Sequence, residues 1–599
     1  MPSPTSLRRG SSRVAKGVWA VVLPAVALMA VGAWAQAPVQ AQGDPPAEVA
    51  RVSVMLGNVS VEPASVDQFS AAVVNDPLTT GDRVYADAGA NAELETGDLA
   101  VRMGQQTDLT VTAMTDQLEQ FGLAQGSVHL RSFTLPLGTT VELDTPNAAV
   151  TVLQPGDVRV DVDPDGGATT VELISGQAQV DGNGFQQVLE PGQRVQLEGN
   201  NPVSAQELDA ATPDGLDGFS NDRDAVYQNA LQGEEAYVNS DTIGAADLSA
   251  NGDWETDSDD GAVWYPTAVA AGWAPYSFGH WVWVAPWGWT WVDSYAWGFA
   301  PFHYGRWMHK GNRWGWIPGS TAVRPVYSPA MVAFVGGAGL TAWFPLGPHE
   351  TYVPWYHASP LYENRVNVSN QYDRNVNEVR RIYDQETLAG AYASGGEHGY
   401  VNRPLATVAV TQSSFAAGRP VVRVNAEALA SAQVTPHPLV TPERTMVVSA
   451  PAKAVPARVA RPVLTSRTSE TEAGETQRTG AAQRAGEEAQ PQDSEGGTLH
   501  GVISSGPGQR TVTAPPTLFH KAVPPEPRPS FDQQQKAIET TDPGRPLGPQ
   551  QMENLRQNRP VGPPEQREAP HPAAPAPRAA PPAPAPRPAP PARPSGPRH

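Results

Sequence analysis

The chain has 599 residues, no cysteine and a formal net charge of −21 at pH 7. The lack of cysteine excludes disulfides and thiolate metal sites, and the length leaves room for several domains. Residues 42–450 carry a net charge of −29, which argues against a nucleic-acid partner because phosphate binding requires positive charge.

The N-terminus has the three parts of a secretory signal peptide. Four basic residues precede Val18, an apolar stretch runs to Ala35, and small residues stand at Ala35 and Ala41. We expect residues 1–41 to be removed on export, with cleavage after Ala35 or Ala41. The alternative is an uncleaved anchor, since the apolar stretch of about eighteen residues is at the short end of a membrane span.

Residues 48–200 have the pattern of a β domain. Val158, Val160 and Val162 alternate with polar residues, as in a half-buried strand. The turn at 163–167 is typical of a hairpin. The acidic residues of this turn could also begin a calcium loop, but strand patterns flank them where such a loop has helices.

Two phrases recur within this domain. The first begins with glycine and has apolar residues at the second and fourth positions after it. Its three copies start at Gly57, Gly126 and Gly176. The second reads L-x-x-G-x-R-V and starts at Leu78 and Leu189. Recurring phrases between short strands predict a stacked β architecture.

These phrases resemble the FecR-type periplasmic domain. The resemblance implies an exported, stacked or solenoid-like β domain over residues 48–200. In that family the domain relays a signal to a sigma factor, which requires a cytoplasmic anti-sigma segment. About sixteen residues precede the apolar stretch here, too few for such a segment, so the resemblance implies the fold more than the regulatory role.

Residues 201–253 form an acidic linker, in which Asp217 to Leu231 could be a short helix. Fourteen of the sixteen tryptophans follow, between Trp254 and Trp355. The phrase at 272–281 recurs at 298–307, and a period near 26 residues indicates repeated supersecondary units.

The repeats predict short β-hairpins with aromatic cross-strand contacts, because many tryptophans lie at alternate positions and would share a strand face. Trp287-Gly288-Trp289 recurs as Trp314-Gly315-Trp316. Residues 254–360 resemble the bacterial tryptophan-rich repeat domains written WxxGxW or YxWGxW, found in exported proteins of unknown function.

The aromatic residues have two possible roles. They could form the core of a small repeat domain, or an indole platform for a sugar ring or another ligand. Candidate binding residues are Trp273, Tyr276, Trp281, Trp283, Trp287, Trp289, Trp291, Trp307, Trp314 and Trp316.

The remaining segments carry weaker signals. Residues 361–450 are mixed and are expected to be a partly ordered extension. Residues 451–599 are rich in proline, alanine and polar residues, with 16 prolines in the last 40 positions, which predicts a long disordered tail.

No catalytic constellation, cofactor motif or metal site is predicted. His280, His303 and His309 could supply imidazole ligands, but exposed or structural histidines explain them better. The sequence thus predicts a mainly β, non-enzymatic, exported protein of the bacterial periplasm or cell envelope. We expect a binding or scaffolding role toward cell-wall glycan or an envelope protein, with membrane contact only through an uncleaved N-terminus.

Two alternatives stay open at this point. One is a FecR-type envelope sensor anchored by its N-terminal segment. The other is a glycan-processing enzyme, which would need two carboxylates facing each other across the tryptophan block.

Overall fold

The computed structural model describes residues 43–234, 237–370, 400–424, 434–435, 437–443, 463–466 and 517–562. The predicted signal peptide lies outside these residues. None of the helices in the described ranges is long and apolar enough to cross a membrane.

An N-terminal β domain contains one sheet of fifteen strands. Valine and threonine are frequent in these strands, because β-branched side chains pack well on a pleated surface. The strands are β1 (Ala50–Leu56), β2 (Val59–Glu62), β3 (Ser70–Ala71), β4 (Pro77–Leu78), β5 (Arg83–Ala86), β6 (Asn91–Glu95), β7 (Leu99–Met103), β8 (Thr107–Thr115), β9 (Leu118–Ser132), β10 (Thr140–Asp144), β11 (Ala149–Val162), β12 (Ala168–Gly182), β13 (Phe185–Leu189), β14 (Arg194–Glu198) and β15 (Ser204–Leu208).

The sheet has the order β15-β14-β12-β11-β10-β9-β7-β6-β1-β4, and the other five strands pair off this path. Its long strands change neighbours halfway. Residues 118–125 of β9 pair with β8 and, in parallel, with β10, whereas residues 126–132 pair with β7 and β11. The sheet therefore bends back on itself, and its apolar side chains fill one core.

The glycines of the two recurring phrases share one backbone conformation, and Gly126 and Gly176 adopt it within β9 and β12. Gly57, Gly126 and Gly176 all have positive φ, at 84°, 94° and 83°. Gly81 and Gly192 of the second phrase also have positive φ and lie just before β5 and β14. Glycine adopts this conformation without a Cβ clash, so the internal similarity reflects equivalent changes of chain direction. The predicted hairpin at 163–167 is also confirmed, since Val162 pairs with Thr169.

Helix α1 (Gly215–Glu234) covers one face of this sheet. Arg223 reaches from the helix to the fully buried Glu93 at 2.9 Å. The helix predicted between Asp217 and Leu231 is confirmed and extends further at both ends.

The tryptophan-rich part of the chain, residues 245–370, is called the tryptophan domain below. The domain begins with a 3₁₀ turn (Ala245–Asp247). It contains a four-stranded sheet of order β16-β17-β21-β20 and a separate two-stranded hairpin, β18-β19. It also supplies β22 and β23 to another four-stranded sheet, of order β24-β23-β22-β25. The elements are β16 (Gly252–Asp257), β17 (Gly261–Pro266), β18 (Gly279–Val284), β19 (Gly288–Asp293), α2 (Ala300–His303), β20 (Arg306–Lys310), β21 (Arg313–Ile317), β22 (Val332–Gly337), β23 (Leu340–Pro345) and α3 (Pro360–Ser369), followed outside the domain by α4 (Arg403–Ala406), β24 (Val408–Thr411), α5 (Gln412–Ala416) and β25 (Val434–Thr435).

Two short ranges within the tail predicted as disordered, residues 451–599, carry secondary structure. Here β26 (Val463–Ser466) pairs in parallel with β27 (Thr517–His520), and α6 (Phe531–Thr541) and α7 (Pro549–Arg556) follow. Among the described residues of this part, Leu518, Phe531 and Ile538 are buried against the rest of the chain. Apart from 463–466 and 517–562, the predicted tail lies outside the described residues. The fold is mainly β, as the sequence predicts.

Candidate functional site

The tryptophan repeats form two β-hairpins. In the first, Trp281 pairs with Trp291 across β18 and β19. In the second, Trp307 pairs with Trp316 across β20 and β21. The predicted hairpins with aromatic cross-strand pairs are therefore confirmed.

The two Trp-Gly-Trp phrases are not structurally equivalent, although their letters match. Trp289 lies opposite Trp283, and Trp314 lies opposite His309. When the two hairpins are compared by their strand pairing, Trp289 occupies the position of Trp314. The shift arises because three residues form the turn of the first hairpin and two form that of the second.

Nine of the ten candidate binding residues are buried, which favours the core role over the aromatic binding face that the sequence also allowed. Their ring faces contact other protein groups and cannot stack on a ligand in this conformation. The buried residues are Tyr276, Trp281, Trp283, Trp287, Trp289, Trp291, Trp307, Trp314 and Trp316, and Trp273 is half-buried. The physical reason is that burying an indole in an aromatic core removes a large apolar area from water.

Several buried indoles satisfy their polar N–H groups inside the protein. Trp307 donates to the Pro301 carbonyl at 2.8 Å, and Trp291 donates to the Asp293 carboxyl at 3.1 Å. Burial raises the pKa of Asp293 well above its usual range. A buried indole N–H usually pairs with an acceptor, so these contacts are consistent with a structural role for the two tryptophans.

A small aromatic patch does reach the surface. We call Trp273, Phe278 and Tyr295 the surface aromatic patch. The side chain of Phe278 is 52% exposed, and its ring centroid lies 5.1 Å from that of Tyr295. Tyr295 also meets Trp273 edge-on at 6.4 Å. Phe278 is exposed, whereas Trp273 and Tyr295 are half-buried and Tyr295 stacks on Trp297. The patch therefore offers one open ring, flanked by two partly covered ones, to the apolar face of a ligand.

Sequence reasoning identified only Trp273 in this patch. Phe278 occupies the repeat position that Tyr304 holds in the second copy, yet Tyr304 is buried. The repeat pattern alone contains no signal that separates the two positions. Exposure here depends on which later segments cover each hairpin.

A buried ionic network joins the β domain to the tryptophan domain. Arg51 of β1 pairs with Glu95 at 2.6 Å and with Asp247 of the 3₁₀ turn. It also donates to Asn75 at 3.1 Å, and the Asn75 amide donates to the Tyr295 carbonyl at 2.7 Å. A buried guanidinium with several partners fixes the relative position of these elements.

A second charged cluster brings Glu48, Asp98 and Glu119 together, with carboxylate oxygens within 4.8 Å of one another. The Arg324 guanidinium pairs with Glu48 and Asp98 and thus supplies positive charge there. Within the described ranges, no other group of three or more His, Asp or Glu side chains lies close enough together to hold a metal ion.

The three histidines considered as metal ligands do not form such a group. The Nδ1 atom of His303 lies 2.8 Å from the Ser328 carbonyl, and the His309 ring contacts Trp314. Burial lowers the pKa of His280 to about 4.

Glu119 predicts a pH dependence of stability. Burial, reinforced by the charge of Asp98, raises its pKa to about 7 from the ordinary 4.5, while Thr96 and Arg324 act in the opposite direction. Between these values the folded state holds a proton that the unfolded state releases, so the free energy of unfolding falls as pH rises. Burial also raises the pKa values of Glu48 and Asp98, so these groups too make the free energy of unfolding fall as pH rises.

We therefore expect the wild-type protein to lose stability between about pH 5 and about pH 8. Glu119→Gln should flatten this dependence, because the amide binds no proton in either state. Urea denaturation at the two pH values provides the measurement. Equal slopes in the two proteins would contradict the prediction.

Comparison with known proteins gives one family match. Residues 245–350 match a family described as a family of unknown function, DUF6600. No curated protein matches the sequence.

Two solved structures resemble part of the chain, both of a protein described as a "putative anti-sigma factor" from Parabacteroides distasonis ATCC 8503. The first is 18% identical and aligns over 21% of this chain and 60% of its own, with a TM-score of 0.20. The second is 14% identical and aligns over 31% of this chain and 99% of its own, also with a TM-score of 0.20. The chain thus spans less than two thirds of the first structure, and what it shares with a described family is the segment 245–350.

Proposed function

We propose that this protein is a non-enzymatic, exported protein of the bacterial cell envelope with a binding and scaffolding role toward cell-wall glycan. The observation that carries the proposal is the surface aromatic patch. Its exposed Phe278 offers a ring face of the kind that packs on the apolar face of a sugar, and the half-buried Tyr295 lies beside it. Removal of the N-terminal segment on export is part of the proposal.

The joined domains support the scaffolding part. Arg51 connects β1 to the 3₁₀ turn that opens the tryptophan domain, and Arg324 connects that domain to Asp98. A ligand held at the patch would therefore be held in a fixed relation to the β domain. The repeated glycine turns of that domain agree with the FecR-type architecture that we propose for it.

The test is co-sedimentation of the full chain with purified peptidoglycan. Phe278→Ser should weaken retention about tenfold, or ~1.4 kcal/mol, the scale of one exposed aromatic contact. Leu137→Ser is the matched control, because Leu137 is 97% exposed on the β domain. Failure of the wild-type chain to sediment would overturn glycan binding, and equal retention of Phe278→Ser would exclude the patch as the contact.

A further inference from the structure

A row of ionisable side chains crosses the sheet of the β domain beneath helix α1. His129 of β9 lies directly opposite Arg102 of β7 on one side and Arg159 of β11 on the other. Directly opposed residues on neighbouring strands share a face of the sheet, so the three side chains form one row. All three are buried, and each contacts Asp217 or Ser220 of α1.

The imidazole of His129 lies between two carboxylates. Its Nδ1 atom is 3.0 Å from both carboxylate oxygens of Asp157 on β11, and its Nε2 atom is 3.1 Å from an oxygen of Asp217 on α1. An ionised carboxylate only accepts hydrogen bonds, and a neutral imidazole has a single N–H. Because only the protonated ring can donate to both acids, His129 connects the sheet to the first turn of α1 while it is charged.

The two arginines of the row have counter-charges of their own. Arg159 pairs with Asp214 at 2.7 Å, and Arg102 pairs with Glu93 at 3.0 Å. Arginine and aspartate ordinarily keep their charges between about pH 5 and about pH 8, whereas histidine changes its charge in this range. Of the three side chains in the row, His129 is therefore the one that responds to pH near neutrality. The charged groups that face it are Arg131 on β9, Arg102 on β7, Asp157, Arg159 and Asp161 on β11, and Asp214, Asp217 and Asp224 in or next to α1.

Loss of the proton changes one of the two contacts of the ring from attraction to repulsion. The nitrogen that has lost its hydrogen then faces a carboxylate oxygen with lone pairs on both atoms. The far half of α1 does not depend on this contact, because Arg223 reaches Glu93 at 2.9 Å and Tyr227 is buried. Release should therefore begin at the first turn of the helix and leave its second half in place.

We propose that His129 is a pH-sensitive latch, which holds the first turn of α1 on the sheet while the ring is protonated and releases it as the pH rises through neutrality. Release admits water to the charged row that the helix covers. The proposal goes beyond glycan binding and does not depend on it, because the surface aromatic patch contains none of the latch residues.

The test is hydrogen–deuterium exchange of the full chain, followed by mass spectrometry, at about pH 5.5 and about pH 8. Exchange rates are corrected for the intrinsic effect of pH on amide exchange. The protection of residues 216–224 is then divided by that of β7, which removes changes in global stability, including the effect of Glu119. In the wild type this ratio should fall about tenfold with rising pH, the scale of one lost hydrogen bond to a charged group.

Two variants should abolish the fall by different routes. His129→Gln removes the titrating group. Asp157→Asn supplies an amide that can donate to Nδ1 of the neutral ring, whose Nε2–H still reaches Asp217, so the latch should hold at both pH values. Asp163→Asn is the matched control, because Asp163 is exposed in the turn that follows β11, and this variant should keep the wild-type fall.

A constant ratio in the wild type would overturn the proposal without any variant. A fall of wild-type size in His129→Gln or in Asp157→Asn would also overturn it. Far-UV circular dichroism at both pH values checks that the variants are folded. Loss of the fold in both would count against the latch as well, because the contact would then be needed at every pH.

Discussion

Replacement of Arg51 by methionine is expected to lower the free energy of unfolding by about 3–5 kcal/mol. Arg51 is 1% exposed and is the shared counter-charge of Glu95 and Asp247. Burial raises the pKa of Glu95, and the charge of Arg51 opposes this effect. Without the guanidinium, Glu95 must be buried unpaired or take up a proton, and both cost stability.

Arg313→Met is the matched control for this substitution. Arg313 pairs with Glu255 at 2.9 Å, but both side chains are about half exposed, so its loss should cost no more than about 1 kcal/mol. Urea denaturation of the full chain measures both values. Similar costs for the two variants would mean that the junction network does not hold the domains together.

Trp281→Ala is expected to destabilise the protein by about 3–5 kcal/mol, because it leaves a large cavity in the aromatic core. The Trp281 ring lies 5.6 Å from Trp291, 5.2 Å from Phe334 and 5.4 Å from Trp343. These neighbours come from three different strands, so they cannot close the space without moving the backbone.

Phe278→Ala provides the control within the same repeat. Because its ring is half exposed, its loss should cost less than about 1 kcal/mol. Denaturant unfolding followed by tryptophan fluorescence compares the two variants. A small cost for Trp281→Ala would contradict the placement of this residue in the core.

The elements of the fold could be predicted where the sequence carries a local period. Alternating valines predict β11, and glycine phrases predict turns, because both depend on the backbone of a few neighbouring residues. The FecR-type architecture and export stay predictions. The tryptophan hairpins could be predicted for the same local reason, but their register could not, since it depends on the length of one turn.

The candidate site was much less predictable. Whether an indole is buried depends on distant segments: Trp281 contacts Phe415, and the N–H of Trp289 donates to Val440. No local pattern connects these positions. The ion pairs of Arg51 and Arg324 likewise join parts of the chain whose spacing in sequence gives no indication of contact.

The C-terminal segment shows a related difficulty. Its composition predicts disorder, because proline-rich and polar sequences cannot bury a core of their own. Phe531 and Ile538 nevertheless bury in the core of the tryptophan domain. Composition describes what a segment can do alone, not what it can do on a surface that another segment provides.

The breadth of the aromatic core has a consequence for the order of folding. Its buried residues extend from Ala47, near the start of the described chain, to Ile538, near its end. The chain is made from its N-terminus, so the tryptophan hairpins emerge from the ribosome long before their last neighbours do. Contacts between such distant parts of the chain also form slowly. If the protein crosses a membrane from its N-terminus, these indoles stay uncovered on the far side until almost the whole chain has arrived. A chaperone that shields aromatic surface would be needed most during that interval.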